Sequence, residues 1–254
     1  RTMLERMSVG IGISGLAEYL YKHGTDFDGS LKSFQIVKDL AELHYYSLLK
    51  ASIKMVEEGE LEPVEGVDFN WLPIDTKRSK LPPSLDWESL RGKPRGHSVL
   101  TAMMPCESSS VFSGTTNGVY PPRSKFVYKK SRKGSLIFIC EGFREGESVS
   151  AWDIDNETLS TYYALIQDYT DQAISADDYY NPDNYTETEG KKPMSKLVKE
   201  WVSHFEMGNK TKYYTNTRMD SSSNLRRLEG KIAGGLLGGV DLGGEGEDCE
   251  SCTL

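Results

Sequence analysis

The sequence has no apolar run approaching the ~18–20 residues that a membrane-crossing helix needs, so no membrane span is expected. Its first residues, Arg1-Thr2-Met3-Leu4-Glu5-Arg6, lack the apolar stretch of a secretory signal. The absence of an initiating Met points to a fragment, a processed chain or a trimmed one. Cysteine is scarce, with four in 254 residues, which excludes the disulfide framework of a small secreted protein. A reducing compartment, the cytoplasm, is the expected location. Positive charge is also short. Thirty basic against 38 acidic side chains leave a net charge of −8, the opposite of a nucleic-acid binder's basic footprint, so no nucleic-acid partner is expected.

Hydrophobic residues make up 37% of the chain, enough for a core. Gly10, Gly12 and Gly15 match G-x-G-x-x-G, but a polar stretch precedes them where a dinucleotide fingerprint needs an apolar strand. The glycines read instead as close backbone packing beside a short strand that enters a helix over 16–22. Ser30 is placed to cap a long helix ending near Gly59, with Leu31, Phe34, Val37, Leu40, Leu43 and Leu48 at buried-face spacing. Residues 60–97, punctuated by prolines and glycines, read as an irregular surface excursion. A strand is expected over 98–104, a turn or hairpin over 125–133, and a helix over 159–174. Pro193 opens a helix in which Met194, Leu197, Val198, Trp201, Val202 and Phe205 form one apolar face, with Gly208 placed to end it. Residues 211–217 are aromatic and β-branched and predict a strand. Beyond about residue 220 the chain is rich in Ser and Gly with little to bury, so 1–219 reads as the folded part and 220–254 as a flexible tail.

Three places could carry chemistry. In the turn Pro105-Cys106-Glu107-Ser108-Ser109-Ser110, a helix start leaves backbone N–H groups for an anion. The same serines could equally be ordinary caps. Tyr213 and Tyr214 are adjacent, and a plain strand would send one ring inward and one outward. Core packing competes there with redox use of a phenol. Cys249 and Cys252 form a C-x-x-C with no second ligand pair and no histidine nearer than His204, so no metal site is expected. They read either as an accidental pair or as a dithiol on an arm, with an r.m.s. reach of roughly 30 Å for the Gly-rich stretch after Met219. Glu247, Asp248 and Glu250 beside them disfavour the thiolate.

M-P-C-E-S-S-S, then T-T-N-G-V-Y-P-P-R, T-D-Q-A-I-S-A, K-T-K-Y-Y-T-N-T-R and a terminal C-E-S-C occur in that order. Together they resemble the C-terminal part of the class I ribonucleotide reductase large subunit of bacterial and bacteriophage type. The resemblance implies an α/β fold, the C-terminal portion of a ten-stranded α/β barrel. It implies a role in converting ribonucleoside diphosphates to deoxyribonucleoside diphosphates by radical chemistry. By position, Pro105, Cys106, Glu107, Ser108 and Ser109 match the loop that holds the substrate phosphates. Tyr213 and Tyr214 match the radical-relay pair, and Cys249 and Cys252 match the tail dithiol that re-reduces the active site.

Cys106 departs from the family, which more often has Ser or Thr there. A thiol is a weak donor, which shifts the burden of phosphate binding to amides and serines. The family's radical-bearing cysteine and its allosteric site lie upstream of anything in this chain. It is therefore expected to be inactive alone and to need an N-terminal large-subunit part, as a natural split or a truncation. The other implied partners are a small (beta) subunit carrying a metal–tyrosyl radical cofactor, and thioredoxin or glutaredoxin, with no cofactor bound by this chain itself. A non-catalytic docking or regulatory module, binding the small subunit or nucleotides, is the alternative.

Overall fold

Ser30 begins the longest element. In the computed structural model, which describes residues 2–131, 134–144, 146–188 and 190–218, its side chain accepts the Ser33 N–H at 3.1 Å. Two short helices precede it, α1 (Thr2–Arg6) and α2 (Leu16–Lys22), and it opens α3 (Leu31–Glu57). With 27 residues, α3 is about 40 Å long.

The buried stripe of α3 differs from the expected one. Val37 is buried, and Phe34, Leu40 and Leu48 pack at its margin, but Leu31 and Leu43 are exposed. The stripe includes Lys38 and Glu42, an ion pair one turn apart that is wholly shielded. Glu42 also accepts the N–H groups of Ser84 and Leu85 and the Trp87 indole N–H. A pattern search that scores only apolar residues passes over such a satisfied polar pair.

Residues 60–97 are irregular, as expected, apart from two 3₁₀ turns, Pro73–Asp75 and Trp87–Leu90. They are nevertheless more than a surface excursion. Leu72 and Trp87 are buried in the core, and Trp87 stacks on Tyr169 with ring centroids 5.9 Å apart.

Instead of a full strand, 98–104 forms a single parallel bridge, Thr101 to Ile11, flanked by Val9 N–H to Val99 O and Ala102 N–H to Ile11 O. The first glycines are there for close approach. A Cβ on Gly12 would lie 2.6 Å from the Ala102 carbonyl oxygen.

Helix α4 (Glu107–Ser113) is followed by an antiparallel hairpin, β1 (Phe126–Ser131) with β2 (Gly134–Ile139), in register from Phe126–Ile139 to Ser131–Gly134. The hairpin falls where the basic stretch predicted one. Helix α5 (Asn156–Gln167) starts and stops earlier than expected. Asp155 caps it, accepting from Glu157 and Thr158. The Gln167 side chain then ends it by folding back onto the Thr170 and Gln172 carbonyls and accepting the Ile174 N–H.

β3 (Asp178–Tyr180) leads through a 3₁₀ segment, Pro182–Thr188, into α6 (Met194–Glu206) and then β4 (Thr215–Thr217), which pairs parallel to β3. Pro193 and Gly208 bracket α6 as expected, but its orientation is the reverse of the expected one. Met194, Val198, Trp201, Val202 and Phe205 are exposed, whereas Glu200 and His204 are buried. The inward polar groups are matched: Glu200 by Lys192 and His204 by Ser160 and Thr211.

α5 packs between α3 and α6, and its Leu159, Tyr162 and Tyr163 sit in the centre of the core. Among the described residues, sheet is limited to the two strand pairs and the Ile11–Thr101 bridge. The mixed helix-and-strand architecture agrees with the expected α/β class, and a closed barrel is not formed by these residues alone. No described helix is long and apolar enough to cross a membrane.

Candidate functional site

The serine turn is built from both sides. The Cys106 N–H donates to Asn117 Oδ1 at 2.6 Å, which ties the turn to the returning strand of chain. That return is anchored in turn by Glu18 of α2, which accepts the Thr116 N–H at 2.8 Å and also bonds its hydroxyl.

Cys106 stands at the N-cap of α4 yet offers no side-chain cap. Its thiol instead donates to the Met104 carbonyl at 3.3 Å, and burial pushes its pKa up, against a smaller opposing hydrogen bond from Ser109. The serines do not cap either. Ser109 donates to the Cys106 carbonyl at 3.3 Å and Ser110 to the Glu107 carbonyl at 3.1 Å. The reading in which these hydroxyls satisfy the helix end therefore loses support. First-turn amides have no preceding carbonyl to bond, and the N-cap side chain of Cys106 does not stand in for one. Pro105, Glu107, Ser108 and Ser109 are exposed.

Cys140, the other cysteine in the described residues, is buried beside Glu18 at 4.0 Å. Desolvation first, and the Glu18 charge second, raise its pKa to about 12. It stays a neutral packing thiol.

Tyr213 and Tyr214 do not alternate in and out. Their ring centroids are 4.0 Å apart with planes tilted by 51°, and both rings are about half exposed. They precede β4, so the strand begins later than the composition of 211–217 predicts. Backbone bonds explain this. Tyr213 N–H donates to the Ala176 carbonyl at 2.8 Å, and Asp178 N–H donates to the Tyr214 carbonyl at 2.7 Å. Two residues thus face the single residue Asp177, as in a β-bulge, and the regular alternation of side chains is broken there.

Tyr120, which sequence reasoning passed over, lies between the two sites. It is buried, its hydroxyl donates to the Ser175 carbonyl at 2.7 Å, and it lies within electrostatic reach of both Cys106 and Tyr213. Burial first, then the Asp177 charge, hold its phenol protonated well above the ordinary range.

Arg123 was also missed, although it ends one of the recognised motifs. Its guanidinium donates to Asn216 Oδ1 at 2.6 Å and lies over the rings of Trp152 and Tyr179, 5.9 and 5.7 Å from their centroids. Such a cation over aromatic faces is held by the ring quadrupoles as well as by its hydrogen bond. Cys249 and Cys252, with the rest of 220–254, lie outside the described residues.

Residues 1–145 match the family described as ribonucleotide reductase, barrel domain. The chain is 34% identical over 251 residues to the ribonucleoside-diphosphate reductase subunit alpha of Haemophilus influenzae, covering 92% of this chain and 33% of that protein. It is 34% identical to the ribonucleoside-diphosphate reductase 1 subunit alpha of Escherichia coli, over 86% of this chain and 30% of the relative. Against the subunit alpha of Enterobacteria phage T4, identity is 29% over 98% of this chain and 33% of the relative. The chain thus spans about a third of the length of the curated relatives it matches.

Proposed function

The chain belongs to the ribonucleotide reductase barrel-domain family, and on that premise we propose that it is a component of a ribonucleoside-diphosphate reductase large subunit. Within that enzyme it supplies the substrate phosphate loop, the phenol pair and the tail dithiol. A ribonucleoside diphosphate loses its 2′-hydroxyl as water and gains a hydrogen in its place. The two electrons and two protons come from a dithiol that closes to a disulfide.

One observation carries the reading: the close, tilted approach of the Tyr213 and Tyr214 rings, with centroids 4.0 Å apart and both rings reaching the surface. Each phenol that passes an electron must also shed and regain a proton. Two phenols in van der Waals contact make the hop between them short, and an exposed edge lets a small subunit, where the metal–tyrosyl cofactor resides, deliver the radical.

Pro105 to Ser109 supply the other end of the reaction. The Cys106 side chain makes no cap on α4, which leaves the start of the helix open to a diphosphate oxygen, and the exposed Ser108 hydroxyl adds a donor. Cys249 and Cys252 return the active-site disulfide to two thiols and are themselves oxidised, to be reduced by thioredoxin or glutaredoxin. The reaction belongs in the cytoplasm, where that reducing supply is found.

Reconstitution tests the assignment. The chain is combined with an N-terminal large-subunit part and a small subunit, and diphosphate reduction is assayed with thioredoxin as reductant. Turnover is expected from the assembly and none from this chain with the small subunit alone. Tyr214→Phe should abolish turnover, and Cys249→Ser should abolish it with thioredoxin while sparing a single round. Full multiple turnover in both variants would overturn the reading.

A further inference from the structure

We propose that Asp177 is a positioning residue for the tyrosine pair, its carboxylate occupying the place of the backbone acceptor that the bulge at Tyr213 and Tyr214 removes. This rests on the relay reading for its importance, but not for its geometry.

A regular parallel ladder gives every inward N–H a carbonyl. Here the ladder bonds run from Tyr213 to Ala176 and from Asp178 to Tyr214, so the Tyr214 N–H is the group left over. Asp177 Oδ1 accepts it at 3.3 Å. The second carboxylate oxygen accepts Asn216 Nδ2–H at 3.1 Å, and Asn216 Oδ1 accepts from Arg123. The tyrosine backbone is thereby tied to a guanidinium that is itself clamped over two aromatic rings.

The neighbouring carboxylate makes a useful contrast. Asp178 is paired with the Lys212 ammonium at 2.6 Å, an ordinary ion pair. Asp177, equally buried, bonds only amide hydrogens among the described residues. Burial lifts its pKa above the usual carboxylate value, partly offset by Asn216, the Tyr214 N–H and the Arg123 charge. An acceptor oxygen survives in either protonation state, and also in asparagine. An unsatisfied N–H at this part-buried position, by contrast, has a desolvation cost. Without Asp177 the bulge therefore has a reason to collapse into a regular strand, which would send the two rings to opposite faces.

The test reads ring geometry directly. A fluorotyrosine at position 214 of the full chain carries a ¹⁹F shift that includes the ring current of Tyr213, isolated as the difference from a Tyr213→Leu chain. Asp177→Ala should lose most of that contribution and Asp177→Asn should keep it, whatever each does to melting temperature. Retention in Asp177→Ala, or an equal loss in Asp177→Asn, would overturn the proposal. Should Asp177→Ala not fold, Asn216→Ala decides: a partial loss supports the proposal and a full contribution refutes it. Because this signal requires no radical transfer, its failure is distinct from a Tyr214→Phe chain that still turns over.

Discussion

Lys38 and Glu42, one turn apart on α3, meet at 2.6 Å with neither side chain reaching solvent. Burial alone would raise the Glu42 pKa, but Lys38, the Ser84 and Leu85 amides and the Trp87 indole together hold it below the ordinary carboxylate range. A depressed folded-state value means stability that is present above the unfolded pKa and lost as pH falls through the folded one.

Glu42→Gln should therefore destabilise the fold by about 3 kcal/mol, because it removes the wholly buried partner of the Lys38 ammonium and leaves it only the half-exposed Asp39 carboxylate at 3.2 Å. Replacing both charges together, with Lys38→Met and Glu42→Gln, should cost less than Glu42→Gln alone, because no charge is left buried and the amide oxygen still accepts from the Ser84, Leu85 and Trp87 donors. Urea unfolding of the single and double variants measures the difference, and equal losses would contradict the argument.

His204 works in the opposite chemical sense but toward the same end of the pH scale. Its Nε2 faces the Thr211 carbonyl at 2.8 Å, which can only accept, so that nitrogen carries the proton and Nδ1 accepts from Ser160 at 2.9 Å. Desolvation first, and the Lys212 charge second, depress its pKa to about 4. An unfolded histidine takes up its proton near 6.5, so between those values the unfolded state binds more protons and stability falls as pH falls. The loss should be about 2–3 kcal/mol across that window. His204→Gln should flatten this part of the pH profile, and an unchanged slope in the denaturation midpoint would refute the assignment.

Gly12 and Gly59 separate two uses of glycine. Alanine at Gly12 would place Cβ 2.6 Å from the Ala102 carbonyl oxygen, whereas at Gly59, with φ +73°, nothing lies within 4 Å. Gly12→Ala should cost about 1–3 kcal/mol through displaced backbone and speed hydrogen exchange at Ile11 and Ala102. Gly59→Ala should cost about 1–2 kcal/mol through left-handed strain alone and leave those two amides protected.

Asn117 holds the Cys106 amide, and through it the entry to α4. Asn117→Ala should cost about 1 kcal/mol in stability. On the proposed phosphate-loop role, it should in the reconstituted reductase raise KM for the diphosphate more than it lowers kcat, since such a loop binds without taking part in bond breaking. A fall in kcat at unchanged KM would point to a different role for the turn.

Local signals in the sequence were read correctly where one residue decides the outcome. Ser30 starts α3, Pro193 and Gly208 bracket α6, and the basic stretch near Lys125 becomes a hairpin. Faces were harder to read. Apolar spacing gave the wrong side of α6, because His204 and Glu200 are buried with partners from Ser160, Thr211 and Lys192, distant in sequence or reached only after a turn. Trp87 looked like part of a loop because its partners, Glu42 and Tyr169, lie far away along the chain. The tyrosine pair was legible as residues and motif. The close, tilted approach of its rings was not, since the bulge forms through bonds to β3, which precedes α6 in the chain. Tyr120 and Arg123 carry no signal of their own and gain meaning only from what surrounds them.

The parallel pairing of β3 with β4 has a consequence for assembly. Parallel neighbours cannot be joined by a tight turn, so the segment from Asn181 to Tyr214 must wrap past α5 before Thr215 finds Asp178. The close phenols are thus a product of long-range closure, completed only once that excursion has docked. Lengthening the connection or loosening its seat would part the two rings without altering either tyrosine.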